Sequence, residues 1–222
     1  MVSSAAPRPD FARPRQRMVQ RLAGAGIVTD RRVLRALGAV PRHLLVPEGL
    51  REAAYREAAL PIGEGQTISA PGVVGAMSQA LELGGRETVL EVGTGSGYQA
   101  ALLSRLAARV VTIERLPQLA ARARSVLGML GVANVAVHVG DGTRGRPCDA
   151  PFDAILVTAG GPEVPPPLLE QLAPGGRLVG PFGDRREQRL LRVRRTETGE
   201  LLREVLGRCR FVQLVGCHGW SG

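Results

Sequence analysis

The chain is predicted to be an α/β domain: a doubly wound, mostly parallel seven-stranded sheet with an antiparallel edge pair and an N-terminal helical extension. Three observations carry that prediction. An apolar run at 89–92 is followed by Gly93, Gly95 and Gly97 at alternate positions, and then by an apolar-periodic stretch at 100–106. That order reads as strand, glycine turn and helix. Further short apolar runs at 110–113, 135–139, 152–157 and 177–181 are separated by helical periodicity or loops, as parallel βα units require. The C-terminal part changes character: runs at 188–195 and 208–214, linked through Thr198-Gly199-Glu200, favour an antiparallel pair at one edge.

Residues 1–12 are Ser, Ala, Pro and Arg in the main and are expected to be a disordered tail. From Arg13, Met18, Val19 and Leu22 mark an amphipathic helix that Gly24 and Gly26 end. Thr29-Asp30 offers an N-cap for a second helix, 31–37. A connector at 40–47 and a third short helix within 48–58 follow. Pro and Gly interrupt 60–71 too often for a helix, and its length suggests a functional loop. Val73 starts a helix that Gly84-Gly85 stops. After the glycine turn, 116–130 is a helix ending at Gly131, and 166–172 is a helix opened by prolines. The expected organisation is one domain over 13–222. It comprises helices and loop at 13–86, a ligand-binding core at 87–181 and edge strands at 182–222.

The 222 residues suffice for one large core. The net charge of +9 is carried without a single lysine, and aromatic residues are not interleaved with the arginines. A solvated basic face is therefore expected, and no nucleic-acid partner. The three cysteines form no C-x-x-C, so no disulfide framework and no metal site are indicated. No apolar run approaches the ~20 residues of a membrane span. A cytoplasmic protein without a membrane partner is expected from these features, and a monomer is the expectation for its assembly.

The glycine spacing narrows the ligand. A dinucleotide fingerprint wants a small third residue where Tyr98 stands. Glu114 closes the next strand, where an acid accepts both hydroxyls of a ribose. Ribose without pyrophosphate points to S-adenosyl-L-methionine rather than a nicotinamide cofactor.

Leu90-Glu91-Val92-Gly93-Thr94-Gly95-Ser96-Gly97-Tyr98, Gly140-Asp141-Gly142 and Pro174-Gly175-Gly176-Arg177-Leu178 resemble class I S-adenosylmethionine-dependent methyltransferases, with their Rossmann-like fold. Pro41-Arg42-His43, Leu60-Pro61-Ile62-Gly63, Gly65-Gln66-Thr67-Ile68-Ser69-Ala70-Pro71 and Phe211-Val212 are narrower and resemble the protein-L-isoaspartate O-methyltransferase family. The resemblance implies methylation of the α-carboxylate of L-isoaspartyl residues in proteins and peptides, with S-adenosyl-L-homocysteine as the second product. It implies Ser69 as the catalytic loop serine. It implies Thr67, Ile68, Gly93, Thr94, Gly95, Gly97, Glu114, Asp141 and Gly142 on the cofactor, and Ser69, Thr158, Ala159 and Val212 on the substrate. Two departures stand out. Gly160 and Gly161 replace the family's alanines and are expected to loosen the loop, and Gln213 stands where the family has proline. They motivate an alternative, methylation of aspartate in one dedicated natural-product precursor peptide. A binding module without activity has only the basic charge in its favour. The histidines His43, His138 and His218 are expected to be structural, and Trp220 either covers the cleft or docks the tail.

Overall fold

The computed structural model describes residues 10–221, and the expectation of disorder for 1–9 lies outside them. Residues 10–12 differ from that expectation. Phe11 caps the first helix and its ring stacks on His43 at 4.1 Å, so the ordered chain begins earlier than composition suggests.

Helix α1 (Ala12–Gly24) turns Met18 and Leu22 inward, and α2 (Arg31–Ala39) turns in Val33, Ala36 and Leu37. The Asp30 side chain accepts from the N–H groups of Arg32 and Val33, the cap its position predicts, worth about 1 kcal/mol. The third helix is shorter than expected: Glu48–Ala53 is a 3₁₀ turn. The expected loop at 60–71 is instead a hairpin of β1 (Leu60–Gly63) and β2 (Gln66–Ile68). Glu64 and Gly65 both have positive φ, at 55° and 68°, which suits the right-handed twist of a two-residue hairpin. Glu-Gly is a rarer turn pair than Asn-Gly or Asp-Gly, and the Pro and Gly around it hid the strands. Helix α3 (Pro71–Ala80) leads into the sheet.

The sheet comprises β3 (Thr88–Val92), β4 (Arg109–Glu114), β5 (Val135–Val139), β6 (Phe152–Val157), β7 (Leu172–Gly183), β8 (Gln188–Arg195) and β9 (Leu201–Cys209). Their order is β5-β4-β3-β6-β7-β8-β9. The first five in that order run parallel, and β8 and β9 are antiparallel. Helices α4 (Tyr98–Leu103), α5 (Pro117–Met129) and α6 (Pro166–Glu170) connect them.

Side chains alternate across the sheet and build two cores. Val89, Val110, Ala154 and Val179 face α3, α4 and α5. Leu90, Val111, Ile155 and Leu178 face α6. Each fully buried Leu or Val contributes about 1.5–3 kcal/mol, so burial on both faces holds the sheet.

The second edge strand is misplaced by sequence reading. It spans Leu201–Cys209, not 208–214. Thr196 and Glu200 close the turn, and β8 ends opposite Cys209 at Gln188, so the chain runs out of partner there. Residues beyond 210 instead return over the parallel strands. No described helix is long and apolar enough to cross a membrane.

Candidate active site

The chain leaves β3 toward β4 and β5, then crosses back to β6 and β7. The sheet order therefore reverses between β3 and β6. In doubly wound sheets the crevice outside the strand C-termini at such a reversal receives ligands. Three adjoining recesses lie there, and Thr67 and Thr158 line all of them. They form one cleft, floored by the turn after β3 and walled by the β2 end, the loop after β6 and the C-terminal segment.

The first recess holds Glu114, at the tip of β4. Its Oε2 accepts from Gly95 N at 2.8 Å and its Oε1 from Leu116 N at 2.9 Å. The acid thus fixes the glycine turn while each oxygen retains acceptor capacity. Gly93 is required twice over: its φ is 99°, and a Cβ there would collide with the Thr158 hydroxyl. That hydroxyl lies 2.9 Å from the Val92 carbonyl and 2.7 Å from the Gly93 carbonyl and donates to them, so Thr158 braces the turn. Thr94 lines the second recess, and its hydroxyl pairs with that of Thr112 at 2.6 Å.

Glu91 lies directly beneath, fully buried and with neither carboxyl oxygen hydrogen-bonded. Burial pushes its carboxyl up to about 8; the nearby Thr112 hydroxyl opposes that rise, and the Glu114 charge adds a smaller push upward. It is largely protonated at neutral pH.

Ser69 lines the second and third recesses, the third being about 250 Å³. Its hydroxyl bonds to nothing among the described residues. Nor does it cap α3, whose N-cap is Ala70 without a side-chain bond. Its carbonyl is held by Arg42 Nη2 at 2.7 Å, while Arg42 Nε donates to the Ala54 carbonyl at 2.7 Å. Arg42 is completely buried, with its guanidinium 4.7 Å from the centre of the Tyr98 ring. Burial pushes the Tyr98 phenol up to about 12. Sequence reading noticed Arg42 only as part of a motif. Its signal was a lone cation between apolar neighbours, at Val40-Pro41 and Leu44-Leu45.

The far wall is a strap after β9. Val212 O accepts from Gly160 N at 2.7 Å, and Leu214 N donates to Gly160 O at 2.9 Å. The Gln188 side chain accepts from Phe211 N at 2.9 Å. Trp220 Nε1 also donates to Gly160 O, at 2.9 Å, so the tryptophan docks the tail on the loop after β6. These bonds overturn the expectation of a loosened loop. Gly160 and Gly161 are buried, and their peptide groups are paired on both sides. A Cβ on Gly160 would stand 3.0 Å from the Gln188 side chain, which fills the space an alanine would take.

Of the residues singled out by sequence, Thr67, Ile68, Ser69, Gly93, Thr94, Gly95, Glu114, Gly142, Thr158, Ala159 and Val212 line the cleft. Gly97 and Asp141 do not. Gly97 caps α4 with φ 83° and packs toward Ala123 of α5. Asp141 Oδ1 accepts from the Thr143 N–H and hydroxyl, and its Oδ2 accepts from Cys217 N at 2.8 Å. Burial alone would raise its carboxyl, but these donors outweigh it and hold it below the usual aspartate range. No histidine lines the recesses, and His43 pairs with the Tyr55 hydroxyl at 2.7 Å. Among the described residues there is no cluster of metal-ligating side chains.

Comparison with known proteins matches the chain to a family model. That model, described as protein-L-isoaspartate(D-aspartate) O-methyltransferase, matches residues 13–219. Protein-L-isoaspartate O-methyltransferase 2 of Geotalea uraniireducens is 54% identical over 208 residues, which cover 94% of this chain and 96% of that one. The protein-L-isoaspartate O-methyltransferase of Syntrophus aciditrophicus is 53% identical over 214 residues, covering 96% and 98%. A solved protein-L-isoaspartate O-methyltransferase superposes with a TM-score of 0.83 at 27% identity, covering 92% of this chain and 67% of that one. A Plasmodium falciparum protein solved with S-adenosyl-L-homocysteine gives 0.78 at 22% identity, covering 90% and 98%, a likeness of fold.

Proposed function

The chain belongs to the protein-L-isoaspartate(D-aspartate) O-methyltransferase family, and we infer from that premise that its cleft moves a methyl group from S-adenosyl-L-methionine to the α-carboxylate of L-isoaspartyl residues in damaged proteins and peptides. The ester then closes to a succinimide without the enzyme, and hydrolysis returns part of it to aspartate. The observation that carries the reading is the continuity of the cleft: Thr67 and Thr158 join the Glu114 recess to the Ser69 recess.

The residues present fit the cofactor. Glu114 keeps acceptor capacity for ribose hydroxyls, and the Gly93 and Gly95 backbone is free of side chains where a ligand must approach closely. When bound, S-adenosyl-L-methionine supplies a methyl group already activated by its positively charged sulfur. Thr67, Ile68, Thr94 and Gly142 complete the walls around it. Asp141 serves that side indirectly, by fixing the Gly142 turn and the tail through Thr143 and Cys217.

The acceptor carboxylate, with a pKa of about 3.5–4, is ionised at neutral pH and needs no general base. That agrees with a cleft free of histidine. The chain's task is to position two groups and exclude water. The unpaired Ser69 hydroxyl donates to the acceptor carboxylate, and Arg42 holds the Ser69 backbone for it. Val212 shapes the acceptor recess, Ala159 lines the adjoining Glu114 recess through which the substrate side is reached, and Thr158 acts there through its backbone brace. The dedicated-precursor alternative loses its main motive, because Gly160 is matched by Gln188 within this fold. We further propose a cytoplasmic monomer that works without a nucleic-acid or membrane partner.

The test is methyl transfer to an isoaspartyl peptide and to its aspartyl twin. Only the first is expected to be methylated, and Ser69→Ala is expected to lower kcat/KM by about 10–100-fold, the value of one charge-assisted hydrogen bond. Equal rates on the two peptides would reject the reading.

A further inference from the structure

The third recess, which holds Ser69, has a rim of one sign. Arg208 and Arg210 line it, together with Cys209, and no acidic residue does. Arg210 is exposed and takes part in no ion pair among the described residues. Arg208 has one partner, Glu187 at 3.5 Å, and remains 80% exposed in its side chain. Directly across the ladder from Arg208 stands Arg189 of β8. Like charges opposite one another on a sheet cost stability. Here three guanidinium groups crowd the end of the β8–β9 pair with one weak counter-charge. Further along β8 two cations are neutralised: Arg192 reaches Glu82 at 2.8 Å and Glu204 at 2.6 Å, and Arg194 reaches Glu82 at 2.6 Å. At the acceptor mouth, by contrast, Arg210 has no acidic partner among the described residues and Arg208 has a single distant one.

We propose that Arg208 and Arg210 are specificity-determining residues that select substrate chains with acidic side chains flanking the isoaspartate. This rests on the methyltransferase reading of the same cleft. A peptide entering the Ser69 recess must carry its neighbouring side chains past this rim. Carboxylates there replace water around the exposed guanidinium groups, while lysines meet repulsion. Because these contacts form at the mouth and not at the reacting atoms, they act on capture. The selection falls on KM rather than kcat.

The experiment uses three isoaspartyl peptides of equal length, differing only in the two residues either side of the isoaspartate: Glu, Ala or Lys. The full chain is expected to rank them Glu, Ala, Lys in kcat/KM, with about tenfold between first and last, carried by KM. In the double variant Arg208→Gln/Arg210→Gln that ratio is expected to fall below about twofold. A ratio near one in the unaltered chain overturns the proposal, and so does a ratio that survives in the double variant. Equal weakening of all three peptides by the variant overturns it too, since the arginines would then be reading the α-carboxylate. Should the variant not fold, raising the ionic strength from about 0.02 to about 0.5 M makes the same decision in the unaltered chain. Collapse of the ratio supports the proposal and persistence overturns it. Absence of transfer to every isoaspartyl peptide, relative to the aspartyl control, removes instead the reading beneath it.

Discussion

On one side of the cleft, Gly95 and Glu114 meet across 19 residues of chain, and Glu114 reaches Leu116 across two. On the other, Ser69 is held by Arg42 at a separation of 27, Phe211 by Gln188 at 23, and Gly160 by Trp220 at 60. The cofactor wall is a single strand-turn-helix unit and the tip of its neighbour. The acceptor wall is gathered from a hairpin, a buried arginine, the loop after β6 and a C-terminal strap. A wall built on one strand pair keeps its Gly95–Glu114 bond whenever that pair forms, and the Thr158 brace on Gly93 is its long-range addition from beyond β6. A wall made of long-range bonds depends on every element that supplies one. Substitutions on the two sides should therefore separate cofactor affinity from peptide handling.

The largest effect is expected beneath the cofactor wall, at Glu91. Its carboxyl titrates near 8 in the fold, against an ordinary value of 4.5. Below pH 4.5 both folded and unfolded chains hold the proton and nothing is lost. From there to about 8 the unfolded chain releases it while the fold keeps it, so stability falls as pH rises. The full swing is on the order of 5 kcal/mol. His43 and His138, whose pKa values burial lowers, act in the opposite direction, so the variant and the unaltered chain must be compared. Urea unfolding of Glu91→Gln should lack this decline between pH 5 and pH 8. Parallel curves for the two proteins would mean that Glu91 is charged in the fold.

Next comes the acceptor wall. Arg42→Met leaves the carbonyls of Ala54 and Ser69 without their donor, at a cost of about 3 kcal/mol in stability. The surviving folded protein should show a raised KM for the isoaspartyl peptide and cofactor affinity within about twofold of the unaltered chain. Calorimetric titration with the cofactor beside peptide kinetics checks the split, and equal damage to both would break the two-wall description. The smallest effect is the reverse case. Glu114→Gln removes a charge-assisted acceptor, and a loss of about 2 kcal/mol in cofactor binding, some 30-fold in Kd, is expected. Peptide KM measured at saturating cofactor should hold.

The contrast also explains what was legible beforehand. Gly93, Gly95 and Glu114 announce themselves because the turn, the close approach and the strand tip are properties of consecutive residues. The parallel strands β3, β4, β6 and β7 show as apolar runs for the same reason: both of their faces are covered. The hairpin at Glu64-Gly65 was masked by prolines and glycines that usually mark loops. Strand β9 was misplaced because an edge strand carries Leu201, Leu202 and Val205 on exposed positions, which blurs its alternation.

By itself the sequence determined the alternation of strand and helix, the glycine turn with its acid, and the family to which the serine-bearing segment belongs. These depend on local propensity and on patterns of burial that repeat along the chain. Only the tertiary structure decided that Arg42 would be buried beneath Ser69, that Asp141 would latch the tail instead of facing the cleft, and that Gln188 would fill the space beside Gly160. Each of those outcomes is a hydrogen bond or a packing contact between residues far apart in the chain. Their partners are chosen by how whole elements dock, and no local pattern records that choice.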